Sequence, residues 1–187
     1  MLKEKANERI ILGIDPGTSV MGYGLVKEVK SSVDLICMGV VKLDHLEDHP
    51  HKLKHIFERT VLLIEQYHPD CLAIEAPFYG KNIQVMMKLG RAQGVAMAAA
   101  LSRSLPIFEY SPRKIKQSIT GNGNSSKEQV GAMLKTLLRF TENPEFLDAT
   151  DGLAVAVCHS FQKISTTGKK NYSGWDAFAK DNLKRIK

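Results

Sequence analysis

An apolar run, Ile10-Ile-Leu-Gly-Ile14, ends in Asp15 and is followed at once by Pro16-Gly17. Buried strands are usually uncharged, so a carboxylate in this place is expected at a strand end, where the sheet meets solvent. A second run, Cys71-Leu-Ala-Ile74, ends in Glu75 in the same way. Because ligands bind at the carboxyl ends of parallel strands, the two acids predict a shared acidic site, of the kind that commonly holds a divalent metal ion.

The segments after the first strand predict a small antiparallel sheet. Gly22–Lys30 and Val33–Leu43 have the composition of strands and are separated by the short turn Lys30-Ser31-Ser32. Pro50 then opens a pattern with apolar residues at spacings near three and four, which indicates a helix that Pro69 ends. The strand that ends in Glu75 is reached across this helix, so it is expected to run parallel to one of the first three.

The second half of the chain is predicted to be mostly helical. An Ala- and Met-rich helix and a short strand lead into three further helices, with Ser126 as the cap of the second. The predicted ranges are 82–104 for the first helix, 106–110 for the strand, and 113–119, 126–139 and 148 onward for the other helices. Three antiparallel strands that lead into a βαβ half predict an α/β protein with a ribonuclease H-like mixed five-stranded sheet flanked by helices.

The length of 187 residues and the hydrophobic content of 43% suit one domain with a short appendage. We expect a ribonuclease H-like domain over residues 1–164 and a basic tail over 165–187, either flexible or a short helix. No apolar stretch approaches the ~20 residues of a membrane span, and Met1–Arg9 lacks the apolar segment of a secretory signal. The sequence therefore predicts a cytoplasmic protein.

The three cysteines support the same location. Cys37, Cys71 and Cys158 are far apart in the chain, and two of them lie in apolar runs. This pattern is typical of free thiols in a reducing compartment and differs from that of a disulfide framework or a zinc site.

Charge is distributed unevenly along the chain, whose net charge is +6. Residues 81–139 carry ten Lys or Arg and two Asp or Glu, a balance of +8, whereas residues 140–160 carry four acids and no Lys or Arg. A basic surface beside an acidic pocket suits a polyanion that is held by Lys and Arg and cut at a metal. A solvated basic face with no nucleic-acid role is the alternative.

Asp148 and Asp151 complete the candidate acidic site. On a helix, residues three apart lie on one face, and both acids are expected in the first turn, where the positive end of the helix dipole tolerates them. Helix capping alone would explain this pair, but four acids in one site repel each other unless a cation is present. The number of carboxylates suits two Mg²⁺ ions, with Mn²⁺ as a substitute.

The histidines are not assigned to this metal site. His159 follows Asp151 by eight residues, about 12 Å along a helix, and is therefore interpreted as structural. His45, His49, His51 and His55 are interpreted as part of an exposed loop and helix start.

The chain resembles the RuvC family of Holliday junction resolvases, which are crossover junction endodeoxyribonucleases. The resemblance runs in family order over about 150 residues. It is carried by Ile11-Leu-Gly-Ile-Asp-Pro-Gly17, Gly22-Tyr-Gly24, Ala73-Ile-Glu75, Lys88-Leu-Gly-Arg-Ala-Gln-Gly-Val95, Phe108-Glu-Tyr110, Lys116-Gln117, Gly121-x-Gly123 and Asp148-Ala-Thr-Asp151. Gly152 stands where the family usually has alanine, a helix cost of up to ~1 kcal/mol.

The resemblance implies a ribonuclease H-like homodimer in which each subunit nicks one of two opposed strands of a four-way DNA junction with Mg²⁺, in recombination and repair. It assigns the four metal-binding and catalytic acids to Asp15, Glu75, Asp148 and Asp151. It also implies a partner complex of a junction-binding tetramer and a hexameric branch-migration ATPase, of the RuvA and RuvB type.

Four residues are predicted to contact DNA. The resemblance places Phe78 against unpaired bases near the crossover, and Lys81 lies beside it. It places Lys116 and Lys127 on backbone phosphates, and these two lysines flank a Gly- and Asn-rich loop that could approach a backbone closely.

Other functions fit part of the pattern. A ribonuclease H-like nuclease that acts on structured RNA is the main alternative. The segment Gly13–Thr18 also resembles the first phosphate loop of actin-like ATPases, but such a protein needs a second loop and a longer chain. A non-catalytic nucleic-acid binder would leave the four acids unexplained. The helix over Met86–Leu101 is apolar on more than one face, which either core packing or a two-fold interface would explain.

Overall fold

The computed structural model describes residues 8–30, 32–77, 82–140 and 147–162. These residues form five strands and five helices in the predicted order. The strands are β1 (Glu8–Asp15), β2 (Val20–Val29), β3 (Ser32–Lys42), β4 (Cys71–Glu75) and β5 (Ile107–Tyr110). The helices are α1 (His49–Tyr67), α2 (Ile83–Leu101), α3 (Pro112–Thr120), α4 (Lys127–Leu138) and α5 (Leu147–Ser160).

The five strands form one mixed sheet in the order β3-β2-β1-β4-β5. β1, β2 and β3 are antiparallel neighbours, whereas β4 is parallel to β1 and β5 is parallel to β4. The predicted mixed sheet and its parallel fourth strand are thus confirmed. β1 and β4 end side by side at Asp15 and Glu75, so the two strand-ending acids share one edge of the sheet.

Alternation along the strands sends side chains to two separate cores. Leu12, Ile14, Leu72 and Ile74 pack in a cluster that includes buried residues of α1 and α2. Ile11, Cys71 and Ala73 pack in a second cluster with residues of α3, α4 and α5. Because successive strand residues point to opposite faces, Asp15 and Glu75 belong to the second face, the one that α5 covers.

Glycines on the sheet allow α5 to lie unusually close to it. A Cβ atom at Gly22 would stand 2.0 Å from the carbonyl oxygen of Asp148, and one at Gly24 would stand 2.4 Å from the Cα of Leu153. A Cβ atom at Gly152 would in turn lie 2.5 Å from the backbone of Tyr23. A side chain at position 152 would therefore clash with β2. Glycine lowers the stability of the helix, but it allows the amino end of α5 to pack against β2.

The predicted helix ends are close to those observed. α1 begins at His49, one residue before the expected Pro50, since Asp48 caps it. α2 is shorter than the predicted 82–104, because Asn82 is its cap and residues 102–104 form a turn. Ser126 caps α4 as predicted, through a capping box with Gln129. Asp151 was expected in the first turn of the last helix, but α5 starts at Leu147 and places Asp151 in the second turn.

The three cysteines are free thiols. Cys71 and Cys158 are buried, and Cys37 is half-buried. No helix among the described residues is long and apolar enough to cross a membrane. The proposed boundary at residue 164 and the tail 165–187 lie outside the described residues and stay predictions.

Candidate active site

Three elements bring the four predicted acids to one edge of the sheet. β1 and β4 present Asp15 and Glu75 on the face that α5 covers, and the first two turns of α5 carry Asp148 and Asp151. The close approach of α5 to β2 at Gly22 fixes the height of these turns above the sheet. The acidic edge, defined as these four residues, therefore depends on backbone packing as well as on the acids themselves.

A cleft of about 80 Å³ opens at the acidic edge. Three of the acids line it, together with two lysines and an apolar floor from α3, α4 and α5. Its lining residues are Asp15, Glu75, Pro112, Ile115, Lys116, Lys127, Val130, Asp151 and Ala154. Asp148 does not line the cleft, but the ammonium group of Lys127 contacts it, so it stands at the rim.

Lys127 is the cation that the acidic edge holds in this structure. Its Nζ donates to Oδ2 of Asp151 at 2.5 Å and lies 3.5 Å from Oδ1 of Asp148. A lysine at the first position of a helix is unfavourable, because the helix dipole is positive there. The two carboxylates of α5 offset that cost, and they explain why a lysine begins α4.

Burial, together with repulsion between carboxylates, raises the pKa of three of the acids. Burial, followed by the charge of Asp151, raises the pKa of Asp15 to about 6. Burial and the charge of Asp15 raise the pKa of Glu75 to about 8. Burial also raises the pKa of Asp151, although Lys127 opposes this. Acids that resist ionisation in this way gain most from a nearby cation.

The donor set fits a hard divalent cation, since all four acids offer oxygen ligands and the charges of the other acids act on Asp15 and Glu75. As the side chains stand, no three His, Cys, Asp or Glu residues within the described ranges are arranged to hold one ion. The two observations agree if Lys127 keeps the carboxylates apart, because its ammonium group lies between Asp148 and Asp151. Metal binding would then require Lys127 to release Asp151.

The predicted DNA-contacting residues are only partly described. Lys116, on α3, lines the cleft, and its charge acts on Glu75 and Asp151. Lys127 lines the same cleft, but its ammonium group contacts Asp148 and Asp151, which the sequence did not predict. The signal that could have indicated this contact is a lysine at the predicted start of a helix. Phe78 and Lys81 lie outside the described residues.

His159 has a structural environment, as expected. It is 2% exposed, its ring lies 4.4 Å from the ring of Phe108, and its Nδ1 is 2.6 Å from the hydroxyl of Tyr110. Arg9 approaches its Nε2 at 3.4 Å. Because a guanidinium group can only donate, Nε2 is the acceptor and Nδ1–H donates to Tyr110. His45, His49, His51 and His55 lie in the loop after β3 and in the first turns of α1, as expected, although His49 and His55 are half-buried there.

Comparison with protein families gives one consistent result. A family model described as crossover junction endodeoxyribonuclease RuvC matches residues 11–159. The protein of that name from Christiangramia forsetii is 60% identical over 181 residues, which is 97% of this chain and 94% of the relative. Its counterpart from Cytophaga hutchinsonii is 60% identical over 183 residues, which is 98% of this chain and 90% of the relative.

Comparison with solved structures agrees. The structure described as T. thermophilus RuvC in complex with a Holliday junction substrate matches with a TM-score of 0.75 and 29% sequence identity. The match covers 82% of this chain and 93% of that one. The likeness therefore extends over nearly the whole of the solved chain.

Proposed function

The chain belongs to the RuvC family of crossover junction endodeoxyribonucleases, which are DNA-cleaving hydrolases, and on this premise we propose that it cuts four-way DNA junctions at its acidic edge. The observation that supports this most is the convergence of β1, β4 and α5, which puts Asp15, Glu75 and Asp151 in one cleft with Lys127 and Lys116. The Thermus relative was solved with a Holliday junction, the substrate class proposed for this chain.

The metal that such a nuclease uses is proposed to be Mg²⁺, two ions per subunit, held by the carboxylates of Asp15, Glu75, Asp148 and Asp151. When bound, the ions would stabilise charge on the attacking and leaving oxygens of an in-line phosphoryl displacement. Mn²⁺, which accepts the same oxygen ligands, would substitute.

The chain's own residues prepare the site for that chemistry. Burial and the charge of Asp15 raise the pKa of Glu75 to about 8, so binding of a cation to this carboxylate near neutral pH would be coupled to loss of a proton. Lys127 orients Asp151 through a hydrogen bond. When a metal ion displaces its ammonium group from Asp151, Lys127 would be free to contact a phosphate. Lys116 stands at the cleft wall, where it would hold the same phosphodiester.

The rest of the junction would be held by the basic surface of residues 81–139. We assign backbone contacts to Lys116 and Lys127 and keep Phe78 and Lys81 as candidates for the unpaired bases at the crossover. A phenylalanine that stacks on a splayed base contributes about 1–3 kcal/mol, which suits opening of the junction centre.

Paired nicking of two opposed strands needs two active sites, and α2 is the proposed dimer interface. Its inner face is buried through alanines, whereas Ile83 and Met87, four residues apart on the outer face, are exposed by 71% and 55%. Cβ atoms added at Gly90 and Gly94 would meet nothing within 4 Å, so a second chain can approach the backbone closely there. An apolar face of this kind suits a two-fold contact with another copy.

Incubation with synthetic four-way DNA, linear duplex DNA and structured RNA, each with and without Mg²⁺, tests the proposed function. We expect Mg²⁺-dependent, symmetric cuts in the junction alone. Preferential cleavage of RNA would favour the alternative of an RNA-directed ribonuclease H-like enzyme. A junction-binding tetramer and a hexameric ATPase of the RuvA and RuvB type remain proposed partners, and their effect on the cleavage rate can be measured in the same assay.

A further inference from the structure

Gln93 is a buried polar residue on the inner face of α2. It is 8% exposed and lies in a row of buried alanines that includes Ala92 and Ala96. A side-chain amide in such a place is costly unless its polar atoms find partners. The contacts that its amide group makes with the sheet therefore indicate its role.

Its amide nitrogen bridges two strands on the face opposite the acidic edge. Nε2 donates to Oε2 of Glu109 on β5 at 2.9 Å and, through a longer bond of 3.4 Å, to the backbone carbonyl of Glu75. An amide group carries two hydrogens on this nitrogen, so it can make both bonds at once. The carboxylate of Glu109 makes the first bond charge-assisted, and the second hydrogen is available to the carbonyl on β4.

The carbonyl that receives this bond belongs to the last residue of β4. On the β5 side this residue is held by the ladder, since Glu75 pairs with Tyr110 and the Ala76 N–H donates to the Tyr110 carbonyl at 2.9 Å. On the β1 side the ladder ends one pair earlier, at Ile14 and Ile74, so there Glu75 lies just beyond the last pair. A strand end that is paired on one side only has more freedom to move than one paired on both. Gln93 holds the backbone of Glu75 from below the sheet while the side chain of Glu75 enters the cleft above it.

We propose that Gln93 is a positioning residue for cleavage: it fixes the end of β4 and so the carboxylate of Glu75, without touching substrate or metal. This inference rests on the proposed role of Glu75. It also links α2, the proposed dimer interface, to a catalytic acid through one side chain. A misplaced catalytic group can lower a rate by about 10²-fold, so a single backbone bond is enough to matter.

The test compares Gln93→Met, which removes both bonds, with Glu109→Ala, which removes only the bond to Glu109. In single-turnover cleavage of a four-way junction, Gln93→Met should be about 10- to 100-fold slower and need more Mg²⁺ for half-maximal rate, with junction affinity within about twofold. Glu109→Ala should stay within about threefold. Equal rates for the two variants would overturn the proposal.

A swapped pair separates positioning from simple stability. Gln93→Glu with Glu109→Gln restores a hydrogen bond between α2 and β5, but a carboxylate at position 93 has no hydrogen for the Glu75 carbonyl. The swap should recover thermal stability and remain slow; recovery of both would show a merely structural role. Glu75→Gln is run beside it, because cleavage by that variant would defeat the proposed site itself, whereas an inactive Glu75→Gln with a normal Gln93→Met would defeat this inference alone.

Discussion

Two acids of the acidic edge have raised pKa values, and these values determine how the stability of the protein changes with pH. The pKa of Asp15 is raised to about 6 and that of Glu75 to about 8, chiefly by burial. A carboxyl group with a raised pKa stabilises the fold below its ordinary pKa, and that stability is lost as pH rises through the folded value. The metal-free protein should therefore lose stability from about pH 4 to pH 8, and metal should restore it.

The same shifts predict that metal binding is coupled to proton release. Mg²⁺ needs ionised carboxylates, so its apparent affinity should rise between about pH 6 and pH 8 and level off above. Calorimetry of Mg²⁺ binding at pH 7 in buffers of different ionisation enthalpy should show protons leaving the protein. Glu75→Gln should reduce that release, and an affinity that does not change with pH would contradict the assignment.

His159 predicts a separate loss of stability in acid. Burial, followed by the charge of Arg9, lowers its pKa to about 4 from an ordinary 6.5. Between pH 6.5 and pH 4 this histidine is protonated in the unfolded chain but neutral in the folded chain. Its contribution to the free energy of unfolding is therefore fully present above pH 6.5 and falls toward pH 4, by up to about 3 kcal/mol. This contribution runs against the larger one of Asp15 and Glu75, so it is measured as a difference: in urea unfolding from pH 7 to pH 4, His159→Gln should gain stability relative to the wild type as the pH falls. Parallel curves would exclude this role.

At the level of strands and helices, glycine places the acids of α5. A Cβ atom at Gly22 would overlap the carbonyl of Asp148, which is backbone and cannot rotate away. We expect Gly22→Ala to cost about 1–3 kcal/mol in unfolding free energy and to lower cleavage further than stability alone explains, because the first turn of α5 must lift. Gly131→Ala on α4, where an added Cβ would meet only the hydroxyl of Thr150 at 3.8 Å, an ordinary contact, is the control.

How far the sequence predicts these elements depends on how local each signal is. The strand that ends in Asp15 and the cap at Ser126 rest on nearby residues, and both are confirmed. The contact of Lys127 with Asp151 spans 24 residues, and the bond from Gln93 to Glu75 spans 18, so no periodicity reports them. The turn that carries Asp151 was misplaced because the start of α5 at Leu147 has no recognisable cap in the sequence.

At the level of the whole molecule, the exposed face of α2 predicts a dimer. Met87→Glu should shift the protein toward monomer in sedimentation velocity, because a charge would be buried in the interface. Met133→Glu is the matched control, since Met133 is an exposed methionine on α4, away from that face. The monomeric variant should bind junction DNA more weakly and lose coordinated nicking of the two strands. A dimer that survives Met87→Glu would place the interface elsewhere.

At the acidic edge, four acids drawn from two strands and one helix are proposed to form a single metal-dependent site that cuts DNA junctions. The most direct measurement is Mg²⁺-dependent cleavage of a synthetic four-way junction by Asp15→Asn, with junction binding followed in parallel. Asp15→Asn should lose at least about 10³-fold in rate and bind as tightly as the wild type, because it removes a proposed metal ligand and leaves the basic surface intact. Mg²⁺-dependent nicking by Asp15→Asn at a rate near that of the wild type would contradict the claim.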